Sequence, residues 1–443
     1  MIQAAATPAQ PSPGEASADP VVRRYRAFFA LLEWSQVTER DAERRWPGRL
    51  PHPRVAYVKA LLVKLCEQKA YITDLRRFLV DHPALVLELG FHPKVTPTEP
   101  AGFDPERTVP CARWLRHQQQ HLEHGLLRAL LAGTVRTLQT EIPGLGTTVA
   151  VDVKHIYAWV QENNPKAYVT HRHDPERQPH GDLDCRLGVK RSTNQERPDG
   201  STTVRKEFVW GYGTGLISAT DPWYGDVVLA EWTQPFNEHD VTYYHPLHQQ
   251  ASTTLGGPPT NVAADAAFDA WHVYQTCVPT GGIAAIPLNL RGQAPPSRDA
   301  QGQPRCARGL TMVPRRQFTH EDGYRVQRFA CPLLFPIPTG QPCDDPRFRS
   351  GDGCVHGITL EPGGLMRATL DRQSDAFKAI YRQRTSAERI NSQATALGIE
   401  RPKVRNAQSV HRLNTLAYIV INARALERVR ALNAAYPRPP AQC

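Results

Sequence analysis

Three acids in this 443-residue chain sit where a carboxylate can take part in phosphoryl transfer. Asp152 lies near the end of the β-branched run TTVAVDV, Asp265 follows a short apolar run at 261–264, and Glu388 lies in the basic stretch YRQRTSAER. Carboxylate oxygens are hard ligands that suit Mg²⁺ or Mn²⁺. Two such ions ~4 Å apart activate water or a 3′-hydroxyl and stabilise the leaving oxygen of an in-line displacement. Taken singly, Asp152 or Asp265 reads equally as a turn or helix cap, and Glu388 as an i,i+4 partner of Arg384. Tyr381, Arg384 and Glu388 are spaced by three and four residues and so share one helix face. On that face Arg384 can grip a phosphate with two hydrogen bonds, and Tyr381 can stack on a base or bond a phosphate. Arg382, Arg389, Arg401, Lys403 and Arg405 could add contacts to a phosphate backbone that carry no sequence information.

Two further clusters have metal-ligand character. Cys306, Cys331, Cys343 and Cys354 share one segment, and four thiolates can close a structural zinc site. The gaps are wide and no C-x2-C pair is present, so packing cysteines are the plainer reading. His171, His173 and His180 fall in a polar stretch and read more simply as a loop near DNA. Trp210, in VWGYGTG, reads as a strand-packing aromatic whose neighbours Gly211 and Gly213 relieve crowding.

Positioning these groups requires a specific set of elements. Apolar residues at helical spacing mark residues 22–34, 54–71 and 73–82, and a long helix is expected over 112–140, ended by Pro143, Gly144 and Gly146. Residues 21–142 therefore read as an all-helical N-terminal domain. Strand-like runs follow at 147–153, 207–220 and 226–233, with the polar stretch 155–201 between the first two. A helix at 237–254, a strand at 261–264, a helix at 267–277 and a strand at 282–287 complete the order βββαβαβ, a mixed α/β core over 143–290. Residues 291–372 are rich in Pro, Gly and polar side chains and read as an inserted irregular or β-rich module. Helical patterning returns at 375–388 and 410–432, the second part of the core (373–432). Residues 1–20 and 433–443 read as flexible tails.

Composition sets outer bounds. Length alone suggests about three domains. Apolar residues are 40 % and charged residues 22 %, with mean hydropathy −0.47, ordinary values for a soluble globular chain. No run approaches the ~18 apolar residues of a membrane span. The first twenty residues carry no Lys or Arg and no apolar stretch, unlike a secretory or transit signal, so a cytoplasmic chain is expected. Nine cysteines, an odd number, argue for reduced thiols. The 53 Lys and Arg outnumber 43 Asp and Glu, giving +10, and residues 371–443 alone net +8. Such a field favours a polyanion through counterion release; a solvated Arg-rich helix face is the alternative.

The stretch YRQRTSAER resembles the Y-x2-R-x3-E helix of DDE transposases from bacterial insertion sequences, with Tyr381, Arg384 and Glu388 at that spacing. VAVDV with Asp152 resembles the family's first catalytic strand, and VAADAAFD with Asp265 and Phe268 its second. LCEQKAYITDLRRFLVDHP is similar to the N-terminal domain of such proteins, so the resemblance spans about residues 22–432. It implies an α/β fold with an RNase H-like mixed-sheet catalytic core, an inserted module, and an N-terminal helical domain for DNA binding or dimerisation. It also implies that Asp152, Asp265 and Glu388 hold two Mg²⁺ or Mn²⁺ ions, with Tyr381 and Arg384 positioning DNA. The implied partners are double-stranded DNA, as terminal inverted repeats and target, bound by a homodimer or higher assembly on the nucleoid of a bacterial cytoplasm. Two positions depart from the pattern: Thr395 stands where a basic residue often follows the Glu, and Ala266 and Ala267 replace the Gly common before the aromatic. The expected activity is metal-dependent strand cleavage and strand transfer. The alternatives are a cleavage-only nuclease of the same core or a domesticated DNA-binding protein without catalysis.

Overall fold

The computed structural model describes residues 19–39, 51–196, 202–290, 297–299 and 301–436. Most of the expected N-terminal tail (1–18), the last seven residues (437–443) and the start of the insertion (291–296) lie outside them.

The N-terminal region is helical, as the 3.6-residue periodicity requires. Asp19 caps α1 (Pro20–Phe29) by accepting from the Val21 N–H at 2.7 Å. Then come α2 (Arg54–Cys66), α3 (Ile72–Val80), α4 (Pro83–Leu89), α5 (Pro105–Thr108), α6 (Ala112–His121) and α7 (His124–Glu141). The helix expected over 54–71 stops at Cys66, and Gln68 beyond it takes a positive φ of 50°. The single helix expected over 112–140 is broken between α6 and α7. Buried Arg412, from far along the chain, donates to the carbonyls of Leu122 and Gln120, satisfying the end of α6 in a way no local pattern reveals.

The main sheet contains β1 (Thr148–Tyr157), β2 (Arg186–Glu196), β3 (Thr202–Asp221), β4 (Gly225–Pro235), β5 (Asn261–Ala263) and β6 (Ala284–Ala285), in the order β2-β3-β1-β5-β6 with β4 also paired to β3. β1 runs antiparallel to β3 and parallel to β5, and β5 is parallel to β6. The first half of β3 pairs with β2, and its second half pairs with β1 and β4. Strand β2 occupies part of the stretch read as a polar loop, because RLGVKRSTNQE lacks the apolar alternation that marks a half-buried strand. A Cβ at Gly213 would collide with the Tyr243 hydroxyl, and one at Gly211 with the Ile156 carbonyl, so both glycines permit close packing around β3.

Helices cover both faces of the sheet. One face packs on the C-terminal half of α7, on α8 (Asp240–Leu255) and on α9 (Trp271–Gln275). The expected helix 267–277 is only a 3₁₀ turn, Ala266–Phe268, plus α9. The other face meets the N-terminal helices, α13 (Thr385–Ala396) and α14 (Ala407–Ala435). Between the two halves of the core the insertion forms a separate antiparallel sheet of β7 (Val313–Thr319), β8 (Arg325–Ala330) and β9 (Val355–Thr359), with α10 (Pro346–Arg349) between β8 and β9. It returns through α11 (Pro362–Thr369), where Arg367 grips buried Asp269 at 2.7 and 2.6 Å. The helix expected over 375–388 is α12 (Asp375–Tyr381) and the start of α13, separated by the 3₁₀ turn Arg382–Arg384. No helix among the described residues is long and apolar enough to cross a membrane.

Candidate active site

Register places the first two acids side by side. Ala150 pairs with Ala263 across parallel β1 and β5, so Asp152 and Asp265 stand at matching positions two residues further on, on the same side as Ala150. Asp152 remains within β1, opposite Leu216 of β3. Asp265 has left β5 and caps the following turn, accepting from the Ala267 N–H at 2.9 Å.

Helix α13 is fastened across that face at three points. Ser386 shares a buried hydroxyl contact with Ser218 of β3 at 2.9 Å, and Arg389 grips Asp226 of β4 at 2.7 and 2.6 Å. The Asn391 side-chain amide donates to Asp152 Oδ2 at 2.8 Å. Glu388, three residues before Asn391, is half-exposed and pairs with Arg384 at 2.7 Å.

The electrostatics are those of crowded like charges. Burial pushes the Asp152 carboxyl up to about 6 and the charge of Asp265 adds to the rise, while Arg384 and the Asn391 hydrogen bond pull the other way. Asp240, the first residue of α8, is likewise pushed up to about 6 by burial and by Asp265. Sequence reading missed Asp240, because an acid in the first helical turn is adequately explained by the helix dipole. It also missed Asn391, whose spacing from Glu388 was the available signal. The Asn391 Oδ1 atom is buried and has no hydrogen-bond partner among the described residues.

The structure thus brings Asp152 and Asp265 together and places Arg384 near Asp152, where it pairs with Glu388. Asp152, Asp265 and Glu388 do not form a set within 4.8 Å among the described residues. Mutual repulsion disfavours such a set, and Arg384 offers Glu388 a counter-charge. Tyr381 stacks on Phe377 with ring centres 5.9 Å apart, and the Arg384 guanidinium lies 5.8 Å from the Tyr381 ring. Arg382 bonds the Lys378 carbonyl within its own turn. Arg389, expected to contact DNA, is engaged by Asp226, a partner 163 positions earlier that no local spacing reveals.

The other basic residues gather toward the far end of β1. Arg401 lies 4.0 Å over the Tyr157 ring, and Lys403 and Arg405 lie 5.7 and 5.0 Å from Trp159. These side chains line a cavity of about 410 Å³. Tyr157 is five residues beyond Asp152 on the same strand, ~17 Å away, so one strand joins the acidic cluster to a basic, aromatic surface.

In the insertion, Cys331 and Cys354 hydrogen-bond. Burial, then the neighbouring Cys331 and Cys306, pushes the Cys354 thiol up to about 12. Cys343 is partly buried in the same module. No three of the four thiols lie within 4.8 Å of one another among the described residues, nor do His171, His173 and His180. No protein-family model matches the chain, and a search of curated proteins finds no match either.

Proposed function

We propose that the chain is a DDE-type transposase with an RNase H-like core, cutting and rejoining DNA at insertion-sequence ends. The observation that carries this reading is the pair Asp152, within β1, and Asp265, just past the end of the adjacent parallel β5, at matching positions beneath the helix that bears Glu388. The central sheet supports it, since antiparallel β4, β3 and β1 continue into parallel β5 and β6.

The donor set fits a divalent cation of the hard class: carboxylate oxygens of Asp152, Asp265 and Glu388, beside the unpartnered Asn391 Oδ1. An ion held by these residues would supply activation of a water nucleophile and stabilisation of the leaving oxygen. To join the aspartates Glu388 would turn away from Arg384, with which it is paired, and this would free that guanidinium for a phosphate oxygen. Arg401, Lys403 and Arg405 hold the backbone of the same DNA, and Trp159 offers a face for an unpaired base. In cleavage, water oxygen bonds to phosphorus as the bond to the 3′-oxygen breaks. In transfer, that 3′-hydroxyl bonds to a target phosphorus as a target P–O bond breaks, so no covalent protein intermediate is required.

The test is incubation of the full chain with Mg²⁺, plasmid target and DNA carrying the element's ends. Cleaved and joined products are expected from the wild type, and neither from Asp152→Asn, which retains end binding. Cleavage that survives Asp152→Asn refutes the assignment, and cleavage without joining identifies a nuclease instead.

A further inference from the structure

A second group of ligand-type side chains lies outside the acidic cluster. His124 opens α7, Glu231 sits in the middle of β4, and His411 lies in the first turns of α14. One ligand atom from each falls within 4.8 Å of the other two, and this is the one His/Cys/Asp/Glu trio among the described residues to do so. Glu231 is fully buried. Its Oε1 lies 3.0 Å from His411 Nε2 and 3.6 Å from His124 Nε2, and the imidazole ring centres are 4.0 Å apart.

We infer that His124, Glu231 and His411 form a structural site for a divalent transition metal of the Zn²⁺ class, distinct from the Mg²⁺ chemistry proposed above and independent of it. Ligands ~2.0–2.1 Å from a tetrahedral ion lie about 3.3 Å apart, and the two separations from Glu231 bracket that value. Two imidazoles and one carboxylate are the ligand types that suit zinc and its neighbours, whereas the all-oxygen acidic cluster suits Mg²⁺.

Hydrogen bonding alone leaves this group unsatisfied. Glu231 Oε2 is buried and has no hydrogen-bond partner among the described residues. His411 Nε2, although close to Oε1, lacks the alignment of a hydrogen bond and is likewise without a partner among them. Thr415 Oγ1 donates to Glu231 Oε1 at 2.6 Å and lies 2.8 Å from His124 Nε2, so this hydroxyl holds the two candidate ligand atoms beside each other. Placed here, an ion would tie the N-terminal helical region, the central sheet and the C-terminal helix together at one point.

The experiment uses the full chain stripped with a chelator and then given Zn²⁺ or Co²⁺ in excess Mg²⁺. One equivalent of Zn²⁺ is expected to bind, to raise the melting temperature, and to weaken at least a hundredfold in both His411→Asn and His124→Ala. Binding should persist in Cys331→Ser/Cys354→Ser, and the Co²⁺ form should show no thiolate charge-transfer band. The partly exposed His124 makes His124→Ala the readable variant if His411→Asn fails to fold. Failure of the wild type to bind either ion, or binding lost with the cysteines and kept without His124, overturns the site.

Discussion

Two carboxylates in one row of the sheet carry opposite electrostatics. Asp152 pairs with Leu216 and Leu216 with Glu231, so the acids are two strands and ~10 Å apart on the same face. Glu231 is fully buried and Asp152 partly so, and this burial by itself pushes each upward. Asp152 has another acid for a neighbour and ends at about 6. For Glu231, the nearby imidazoles of His411, at 3.0 Å, and His124, at 3.6 Å, outweigh burial and hold it well below the carboxylate range. The buried Tyr418 hydroxyl, on α14, feels both charges. One position keeps unbalanced repulsion that an incoming cation can relieve, which is what a catalytic site needs. The other has partners that balance its charge within the fold, which is what a structural junction needs.

The largest expected effect falls on Asp152, the member of this pair proposed to be catalytic. Asp152→Asn or Asp265→Asn should lower Mg²⁺-dependent cleavage by about 10⁴-fold or more, the scale of losing one member of a catalytic set. A loss under tenfold would erase the contrast. On the structural side, removing the His411 imidazole leaves a buried carboxylate short of a partner, so His411→Ala should cost about 3–5 kcal/mol in urea unfolding. Near-neutral stability there would show that Glu231 is balanced by other means.

The sign reverses at Asp152. Its folded-state carboxyl, at about 6 against an ordinary 3.8, holds a proton that the unfolded chain releases. Between those values stability falls as pH rises, and the contribution present below pH 3.8 is lost by pH 6. Without divalent ions, Asp152→Asn should therefore stabilise the chain at neutral pH by up to about 3 kcal/mol, with the gain vanishing near pH 4. Destabilisation at both pH values would contradict this sign. The smallest effect is expected on the basic surface. Lys403→Ala or Arg405→Ala should each lower the salt-dependence slope of DNA binding by about 0.9 per lost phosphate contact. Arg389→Ala should leave that slope unchanged and lower the melting temperature, because its partner is Asp226.

What the sequence disclosed followed physical range. The strand holding Asp152, the short strand before Asp265 and the helical stretch around Glu388 were legible because strand runs, turn signals and helical spacing are local patterns, whereas the 3₁₀ turn Arg382–Arg384 that breaks the expected helix face was not. The contacts that fasten α13 were not, since Ser218, Asp226 and Asp152 precede their partners by more than 160 positions. Asp240 was hidden for the opposite reason, having a sufficient local explanation. Glu231, His124 and His411 are scattered over nearly 290 positions without a spacing motif, and only register and the path of α14 unite them. Strand β2 escaped because its polar sequence lacks the alternation from which strands are read.

Mn²⁺ affinity, followed by electron paramagnetic resonance on the full chain with the His124–Glu231–His411 group saturated by Zn²⁺, tests the convergence of the three acids most directly. Glu388→Gln should weaken Mn²⁺ binding at least tenfold, alongside Asp152→Asn and Asp265→Asn, because the Glu388 carboxylate must leave Arg384 to complete the set. Equal Mn²⁺ affinity in the wild type and Glu388→Gln would show that this helix contributes no ligand and would end the three-carboxylate account.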